Sequence, residues 1–220
     1  MKPKPKFSLI TVNYNGVDLT LDLIKSLEKS PYTNFDLWVV DNGSKEKMPD
    51  FSKDFSFVKV IYSQENLGFA GGNNLALKKA EGDFFIFINN DTEIDPQFLV
   101  ELDNQIIQYN NNLFGIIACR LMWYDQKDLI QFAGHYGLNP ITARGFSRGY
   151  KEKDNPKFHN IHKTHLAHGA AMLVTREAVL KAGLMPDIYF LYYEELDFCE
   201  KIKRAGFDII YNGKAVVYHK

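Results

Sequence analysis

The sequence predicts an α/β fold: a mostly parallel sheet with helices over both faces, in one domain. Two observations carry this. Short, wholly apolar runs recur through the first half, at Phe7–Val12, Leu37–Val40, Val58–Tyr62 and Phe84–Ile88. Strands that are apolar on both faces belong to sheets buried on both sides, as parallel sheets are. Segments with helical spacing separate these runs.

Each element follows from its own residues. Phe7–Val12 (FSLITV) is a buried strand by its length and β-branched content. After Asn15-Gly16, the spacing of Leu19, Leu23, Ile24 and Leu27 predicts a helix that ends at Ser30-Pro31. Strands at Leu37–Val40 and Val58–Tyr62 come next, then a helix near Gly72–Ala80 and a strand at Phe84–Ile88. Asp95 caps a further helix, with Pro96 in its first turn and Phe98, Leu99, Leu102 and Ile106 on one face. A strand is expected at Phe114–Leu121. Met122–Asn160 then lacks periodicity but is rich in aromatics, which marks a functional loop region rather than disorder. His168–Val174 reads as a strand, and Thr175 and Gly183 bracket a short helix. Glu194–Ala205 forms a helix with Leu196, Cys199, Ile202 and Ala205 near one face and Gly206 as its stop, and Ile209–His219 is extended. The basic start, residues 1–6, reads as a frayed end.

Composition narrows the functional classes. The 26 Lys and Arg against 27 Asp and Glu leave a net charge of -1, which excludes the basic excess of a nucleic-acid partner. Two cysteines, Cys119 and Cys199, make neither a disulfide framework nor a four-thiolate zinc site, and read as buried thiols in a reducing compartment. No apolar run reaches the roughly 18 residues of a membrane span. The expectation is a soluble, cytoplasmic protein.

In open α/β sheets, ligands bind where the strands end. Those positions carry Asn13-Tyr14-Asn15-Gly16, Asp41-Asn42-Gly43-Ser44, Glu65-Asn66-Leu67-Gly68 with Gly71-Gly72-Asn73-Asn74 beyond, and Asn89-Asn90-Asp91. Each cluster alone is ordinary turn chemistry. Together they describe one polar crevice. Gly68–Asn74 (GFAGGNN) is expected to precede a helix with its N–H groups free for a phosphate, but it is neither a GxGxxG fingerprint nor a P-loop. Asp91 could reach a hard divalent cation. Glu194, Glu195 and Asp197 open a helix, where acids complement the dipole, and one of them could act as a general base. His159, His162, His165 and His168 recur at every third position, a spacing that alternates faces on a strand and drifts around a helix, so it predicts no zinc site. His219 ends the last strand, where a neutral imidazole could ligate a metal.

The ordered motifs SLITVNYNG (Ser8–Gly16), VVDNGS (Val39–Ser44), ENLGFAGGNN (Glu65–Asn74), INNDTEID (Ile88–Asp95), HGAAMLVTREAV (His168–Val179), FLYYEELDFCEKIKRAG (Phe190–Gly206) and VVYH (Val216–His219) span almost the whole chain. The sequence resembles family 2 glycosyltransferases of the GT-A fold, most nearly their rhamnosyltransferase-like branch. The resemblance implies a nucleotide-binding half at about residues 7–95 and an acceptor and catalytic half at about 96–220. It implies that Tyr14 stacks on the nucleotide base, with Val12, Asn13 and Asn15 lining that turn. Asp41 would accept from the base N–H with Asn42 beside it. Asn73, Asn74 and Asn90 would approach the ribose and diphosphate. Asp91 and His219 would hold Mg²⁺ or Mn²⁺, and Glu195 would be the base, with Glu194 and Asp197 as alternates. The implied partners are a dTDP- or UDP-linked sugar and a saccharide or lipid-linked acceptor of cell-surface polysaccharide synthesis, at the inner face of the membrane. The aromatic loops from Trp123 to Tyr150 would form the acceptor side.

Three departures stand out. The base position holds Glu where relatives have Asp, the DxD region keeps only its last acid, and His168 replaces a small hydroxyl residue. The chain also stops at Lys220, where many relatives continue, so a truncated transferase or a nucleotide-sugar-binding domain without catalysis is the rival expectation. A nucleotidyltransferase would need a Gly- and Arg/Lys-rich loop after the first strand, and Val12-Asn13-Tyr14-Asn15 offers none.

Overall fold

A computed structural model describes residues 3–109, 113–139, 141 and 145–220. The first half alternates as predicted: β1 (Phe7–Asn13), α1 (Val17–Glu28), β2 (Phe35–Asn42), β3 (Val58–Ser63), α2 (Gly68–Leu77), β4 (Phe84–Ile88), β5 (Thr92–Ile94) and α3 (Phe98–Gln108). The second half contains β6 (Phe114–Trp123), β7 (Ile130–Phe132), β8 (His135–Leu138), β9 (Gly145–Ser147), β10 (Ile161–Lys163), β11 (Ala171–Thr175), α4 (Arg176–Ala182), α5 (Glu194–Arg204) and β12 (Asp208–His219). One sheet runs in the order β10-β12-β6-β11-β4-β1-β2-β3, with β5 added to β12 and β7 to β6. The pairings give β1, β2, β3, β4, β6 and β12 a common direction, and β5, β7, β10 and β11 run against them.

That polarity places the site. The carboxyl ends of the six aligned strands share one edge of the sheet. The start of β11, which runs the other way between β4 and β6, lies at the same edge. The core beneath is apolar on both faces of the central strands: Leu9, Ile10, Ile86, Phe87, Ile116, Ile117 and Leu173 are fully buried. Cys119 and Cys199 are buried within it, and burial pushes the Cys199 thiol up to about 12.

Several boundaries differ from the sequence reading. The glycine-rich stretch does not precede a helix; it forms the first turns of α2. The glycines serve close packing. A Cβ at Gly72 would meet Val12 Cγ1 at 2.9 Å, and one at Gly68 would lie 2.2 Å from the Phe190 carbonyl. Asp95 caps a turn rather than α3 itself: its carboxylate accepts from Gln97 N at 2.9 Å, and α3 begins at Phe98. His168 lies just outside β11. The 122–160 stretch holds β7, β8 and β9 where only loop was expected, and the Arg120–Asp154 ion pair at 2.7 Å ties its far end back to β6. Residues 140 and 142–144 of that stretch lie outside the described residues.

The expected frayed start is shorter than residues 1–6. The Tyr32 hydroxyl donates to the Pro5 carbonyl at 2.6 Å, Asn34 donates to the Lys4 carbonyl at 2.8 Å, and Lys6 pairs with buried Asp36 at 3.0 Å. Residues 1 and 2 lie outside the described residues.

Gly68 and Gly206 separate close approach from backbone conformation. Both have positive φ (+71° and +93°), yet a Cβ at Gly206 meets nothing within 4 Å. Gly206→Ala is expected to cost about 1–2 kcal/mol, the conformational penalty alone. Gly68→Ala carries that penalty plus displacement of the Phe190 loop, so its urea midpoint falls further than that of Gly206→Ala.

Candidate active site at the strand ends

Asn13 ends β1 fully buried and ties three loops together. Its carbonyl oxygen accepts from Gly16 N and Thr20 Oγ1, both at 3.1 Å, and its amide donates to Ser44 Oγ at 3.2 Å and Asp41 Oδ1 at 3.3 Å. Asn90 donates into the same cluster, to Thr20 Oγ1 at 3.1 Å and Gly16 O at 3.3 Å. The β1 and β2 turns are thereby stitched together, and Asn15 adds to this by accepting from Lys45 N at 2.9 Å. Tyr14 is left on the outside of that turn, 49% exposed.

The side chains expected at the nucleotide also bond within the protein. Asp41 is buried with both carboxylate oxygens in use: Oδ1 accepts from Ser44 and Asn13, and Oδ2 from Met48 N at 3.2 Å. Asn42 is buried and holds the entry to α2, donating to Asn66 at 2.9 Å and accepting from Leu67 N at 3.1 Å. Asn73 donates to Phe69 O at 2.9 Å within its own helix. Asn74 clamps the backbone of Met185, donating to its carbonyl at 2.9 Å and accepting from its N–H at 3.2 Å. With Asn13 and Asn90, these side chains satisfy one another or the backbone, and they shape the crevice from beneath. Val12 packs on α2 through Gly72. Of the expected base-side residues, Tyr14 and Asn15 remain exposed.

Asp91 and His219 come together as expected, with Asp91 Oδ1 3.2 Å from His219 Nε2. Backbone pairing makes the juxtaposition: His219 of β12 lies opposite Thr92 of β5, and Lys220 N donates to Asp91 O at 2.9 Å. The Lys220 ammonium spans Asp22 and Glu93 at 2.5 and 3.0 Å, fastening the same corner. Gln131 Oε1 lies 2.8 Å from His219 Nδ1, on the side of the ring away from Asp91. Asp91 Oδ1 is buried and takes no hydrogen bond among the described residues. Nε2 and Oδ1 at this separation leave room between them for a proton or a cation. Two ligands at the roughly 2.0–2.1 Å of Mg²⁺ coordination, set at right angles, stand about 3 Å apart, so the donor spacing fits a divalent ion. Among the described residues no group of three or more His, Cys, Asp or Glu is placed to hold a metal. The protein thus offers two donors, the pattern of a cation that shares its remaining positions with phosphates and water.

Glu195 reaches the same edge. A Cβ built on Gly169 would lie 3.8 Å from its carboxyl carbon, and the neighbouring His168 ring is 6.1 Å from that of His219. Asp91, His219, His168, Gly169 and Glu195 therefore form one continuous line across the ends of β4, β11 and β12. Burial, with the charge of His219 next and Asp91 countering, pushes the His168 imidazole down to about 4, and Ala170 N donates to its Nδ1 at 3.0 Å. His168 is thus neutral near pH 7. Burial raises the Glu195 carboxyl above its ordinary value, against its own backbone N–H. Glu194 is also raised by burial, but only 4% of it is exposed and Oε2 lacks a partner among the described residues, so of that pair Glu195 is the one open to a substrate. Tyr192 and Tyr193 enter α5 at φ of 70° and 72°, strained positions that aim its first turn at the edge.

Of the other histidines, His159 lies 3.1 Å from Asp154, while His162 and His165 line a cavity with His135, and the His162 ring is tilted 49° to that of Tyr211 at 4.8 Å. Sequence reasoning missed Gln131 and Lys220. Gln131 sits on a three-residue strand with no periodic signal, and Lys220 acts through carboxylates 198 and 127 positions away in the chain.

The sequence profile described as Glycosyl transferase family 2 matches residues 8–180. The chain belongs to this family. It is 25% identical over 206 residues to a low-salt glycan biosynthesis hexosyltransferase of Haloferax volcanii, covering 92% of this chain and 63% of that protein. It is 23% identical over 214 residues to an amylovoran biosynthesis glycosyltransferase of Erwinia amylovora, covering 93% of this chain and 66% of that one. Two solved structures share the fold. GalNAc-T7 with UDP, GalNAc and Mn²⁺ aligns at TM-score 0.79 and 14% identity, over 98% of this chain and 43% of the other. A mannosyltransferase of Pyrobaculum calidifontis with GDP-Man and Mn²⁺ aligns at TM-score 0.70 and 16% identity, over 99% and 57%. The glycosyltransferase GT-A fold expected from the motifs is the fold observed.

The buried amide network has a measurable consequence. Asn74→Ala orphans the Met185 N–H and carbonyl and is expected to cost about 2–3 kcal/mol, read from the urea midpoint at unchanged m-value. Unchanged stability with weakened nucleotide binding would instead make Asn74 a ligand contact.

Proposed function

We propose that the protein is the catalytic core of an inverting glycosyltransferase that moves a sugar from a nucleotide diphosphate to a hydroxyl of a saccharide or lipid-linked acceptor. One observation carries this reading: Asp91, His219 and Glu195 line a single edge, with His168 and Gly169 between them. The exposed Tyr14 ring receives the nucleobase, and the diphosphate lies at Asp91 and His219. These two residues would hold Mg²⁺ or Mn²⁺, whose charge would stabilise the departing diphosphate. A hydrogen bond from Nδ1–H to Gln131 Oε1 would leave His219 Nε2 to bind the cation.

Glu195 accepts the proton of the acceptor hydroxyl as the oxygen bonds to the anomeric carbon, and the bond from that carbon to the diphosphate oxygen breaks on the opposite face. Neutral His168 places no charge beside the departing group. The donor is a dTDP- or UDP-linked sugar, with rhamnose the first candidate, and the product enters cell-surface polysaccharide at the inner face of the membrane. No helix among the described residues is long and apolar enough to cross that membrane.

The rival reading, a domain that binds nucleotide sugar without turnover, draws on the single acid of Asn89-Asn90-Asp91. Turnover of dTDP-, UDP- and GDP-sugars with Mn²⁺ separates the two, since tight binding without transfer or donor hydrolysis would support the rival. Asp91→Ala is expected to abolish metal-dependent turnover, and full retained activity would remove the metal role. Glu195→Gln is expected to lower kcat by about 10²–10⁴-fold. Glu195 acts only when ionised, and burial raises its pKa, so the rate should fall with decreasing pH through a limb above the ordinary glutamate value of about 4.3.

A further inference from the structure

β10 borders the sheet, and β8 is fastened to the segment that follows it. His135 N donates to Thr164 Oγ1 at 2.7 Å, and Thr164 Oγ1 donates to His135 O at 3.2 Å. Glycines before and after His135 admit the neighbouring rings: a Cβ at Gly134 would lie 3.1 Å from His162 Nε2, and one at Gly137 3.2 Å from His165 Cγ. The packing leaves a cavity of about 410 Å³ lined by His135, Arg148, Asn160, His162, Lys163 and His165, among others. That size falls within the roughly 300–1,000 Å³ of small-molecule sites.

The cavity is separate from the edge that carries Asp91 and His219. His162 lies opposite Tyr211 of β12, which lies opposite Ala118 of β6, whereas His219 lies opposite Trp123. The β6 residues from Ala118 to Trp123, at ~3.3 Å each, put about 16 Å between the two levels.

The lining is cationic and rich in donors. No Asp or Glu lines it among the described residues. Arg148 donates to Ala133 O at 3.3 Å and to Lys157 O at 2.7 Å, so carbonyls hold the guanidinium while no carboxylate among the described residues cancels its charge. Gly137 N donates to His135 Nδ1 at 2.9 Å, which leaves the neutral ring its proton on Nε2 as a donor. Burial, then His165 and Lys203, lower the His135 imidazole. Burial, then Arg148, lower His162 against a main-chain hydrogen bond with Asn160. Positive neighbours thus oppose a proton on either ring, and a bound anion would counter them. Asp208 and Glu200 are engaged by Lys163 at 2.6 Å and Lys203 at 2.5 Å, and the remaining titratable neighbours are the phenols of Tyr136 and Tyr211. Three histidines also suggest a metal, but among the described residues no such group is placed to hold one.

We propose that this cavity binds a phosphate group, carried by a small phosphomonoester or by a lipid headgroup. A tetrahedral oxyanion accepts from several directions at once, which suits donors arriving from β8, from Arg148 beyond β9 and from β10. A planar carboxylate would leave some of them unused. The inference does not depend on the glycosyltransferase reading.

Sulfate is the first probe, because it remains a dianion wherever histidine titrates, so any pH dependence of its binding belongs to the protein. The ring protons of the six histidines are followed by NMR during metal-free sulfate titrations at about pH 5.5 and about pH 8. The expected result is saturable movement of the His135, His162 and His165 signals, with those of His159, His168 and His219 still. Protonated rings add charge, so binding should be about tenfold tighter at the lower pH, the worth of one charged hydrogen bond. His165 is exposed, and its ring takes no hydrogen bond among the described residues, so His165→Gln spares the fold. That variant should bind sulfate about tenfold more weakly at an unchanged melting temperature.

Glycerol 3-phosphate titration, and flotation with vesicles of phosphatidic acid or phosphatidylcholine, then identify the carrier. Glycerol phosphate binding without flotation supports a soluble phosphomonoester. Flotation on phosphatidic acid alone, lost in His165→Gln, supports a lipid headgroup. Absent or pH-independent sulfate binding, movement confined to His168 and His219, or a response of the three rings to Zn²⁺ but not to sulfate overturns the proposal.

Discussion

The site depends on one piece of backbone pairing: the last residues of β12 held between β5 and β6. His219 lies opposite Thr92 on one side and Trp123 on the other. This places an imidazole against Asp91, a carboxylate 128 positions earlier in the chain. Main-chain hydrogen bonds set the position, and Lys220 reinforces it by bonding Asp91 O through its amide and Asp22 and Glu93 through its ammonium. The backbone positions of the pair are fixed, since shifting either residue means breaking sheet register. Gln131 lies against the other ring nitrogen and holds the orientation of the imidazole.

The first half of the chain is organised differently. Its strand ends carry amides that bond to one another: Asn13 to Asp41 and Ser44, Asn90 to Thr20 and Gly16, Asn42 to the entry of α2, Asn74 to Met185. Buried polar groups are costly unless satisfied, and most here satisfy one another or the backbone. The result is a rigid floor under Tyr14. Rigidity has a function at such a floor, because loops that need no reordering leave more binding energy for the ligand.

These two modes explain what was legible in the sequence. The apolar runs gave the strands, and Thr175 and Gly183 bracketed α4 as expected. The polar strand ends located the edge, and motif order singled out Asp91, His219 and Glu195. The direction in which a polar turn residue points was not legible. Asp41, Asn42, Asn73, Asn74 and Asn90, expected at the nucleotide, also bond within the protein, since an Asn can bond the backbone as readily as a substrate. The Gly68–Asn74 stretch misled for a related reason. Glycine permits close packing of α2 on β1 as well as open loops, and periodicity cannot separate the two. Gln131 was beyond sequence reasoning as a site residue, because its role arises only from strands that pair across long separations.

The central claim is that Asp91 and His219 share one divalent cation. Anomalous diffraction from crystals soaked with Mn²⁺ and UDP tests it most directly. The account predicts one manganese peak about 2.0–2.3 Å from an Asp91 carboxylate oxygen and from His219 Nε2, with diphosphate oxygens completing the shell. Bound UDP with manganese away from both residues, or with none at all, would contradict it.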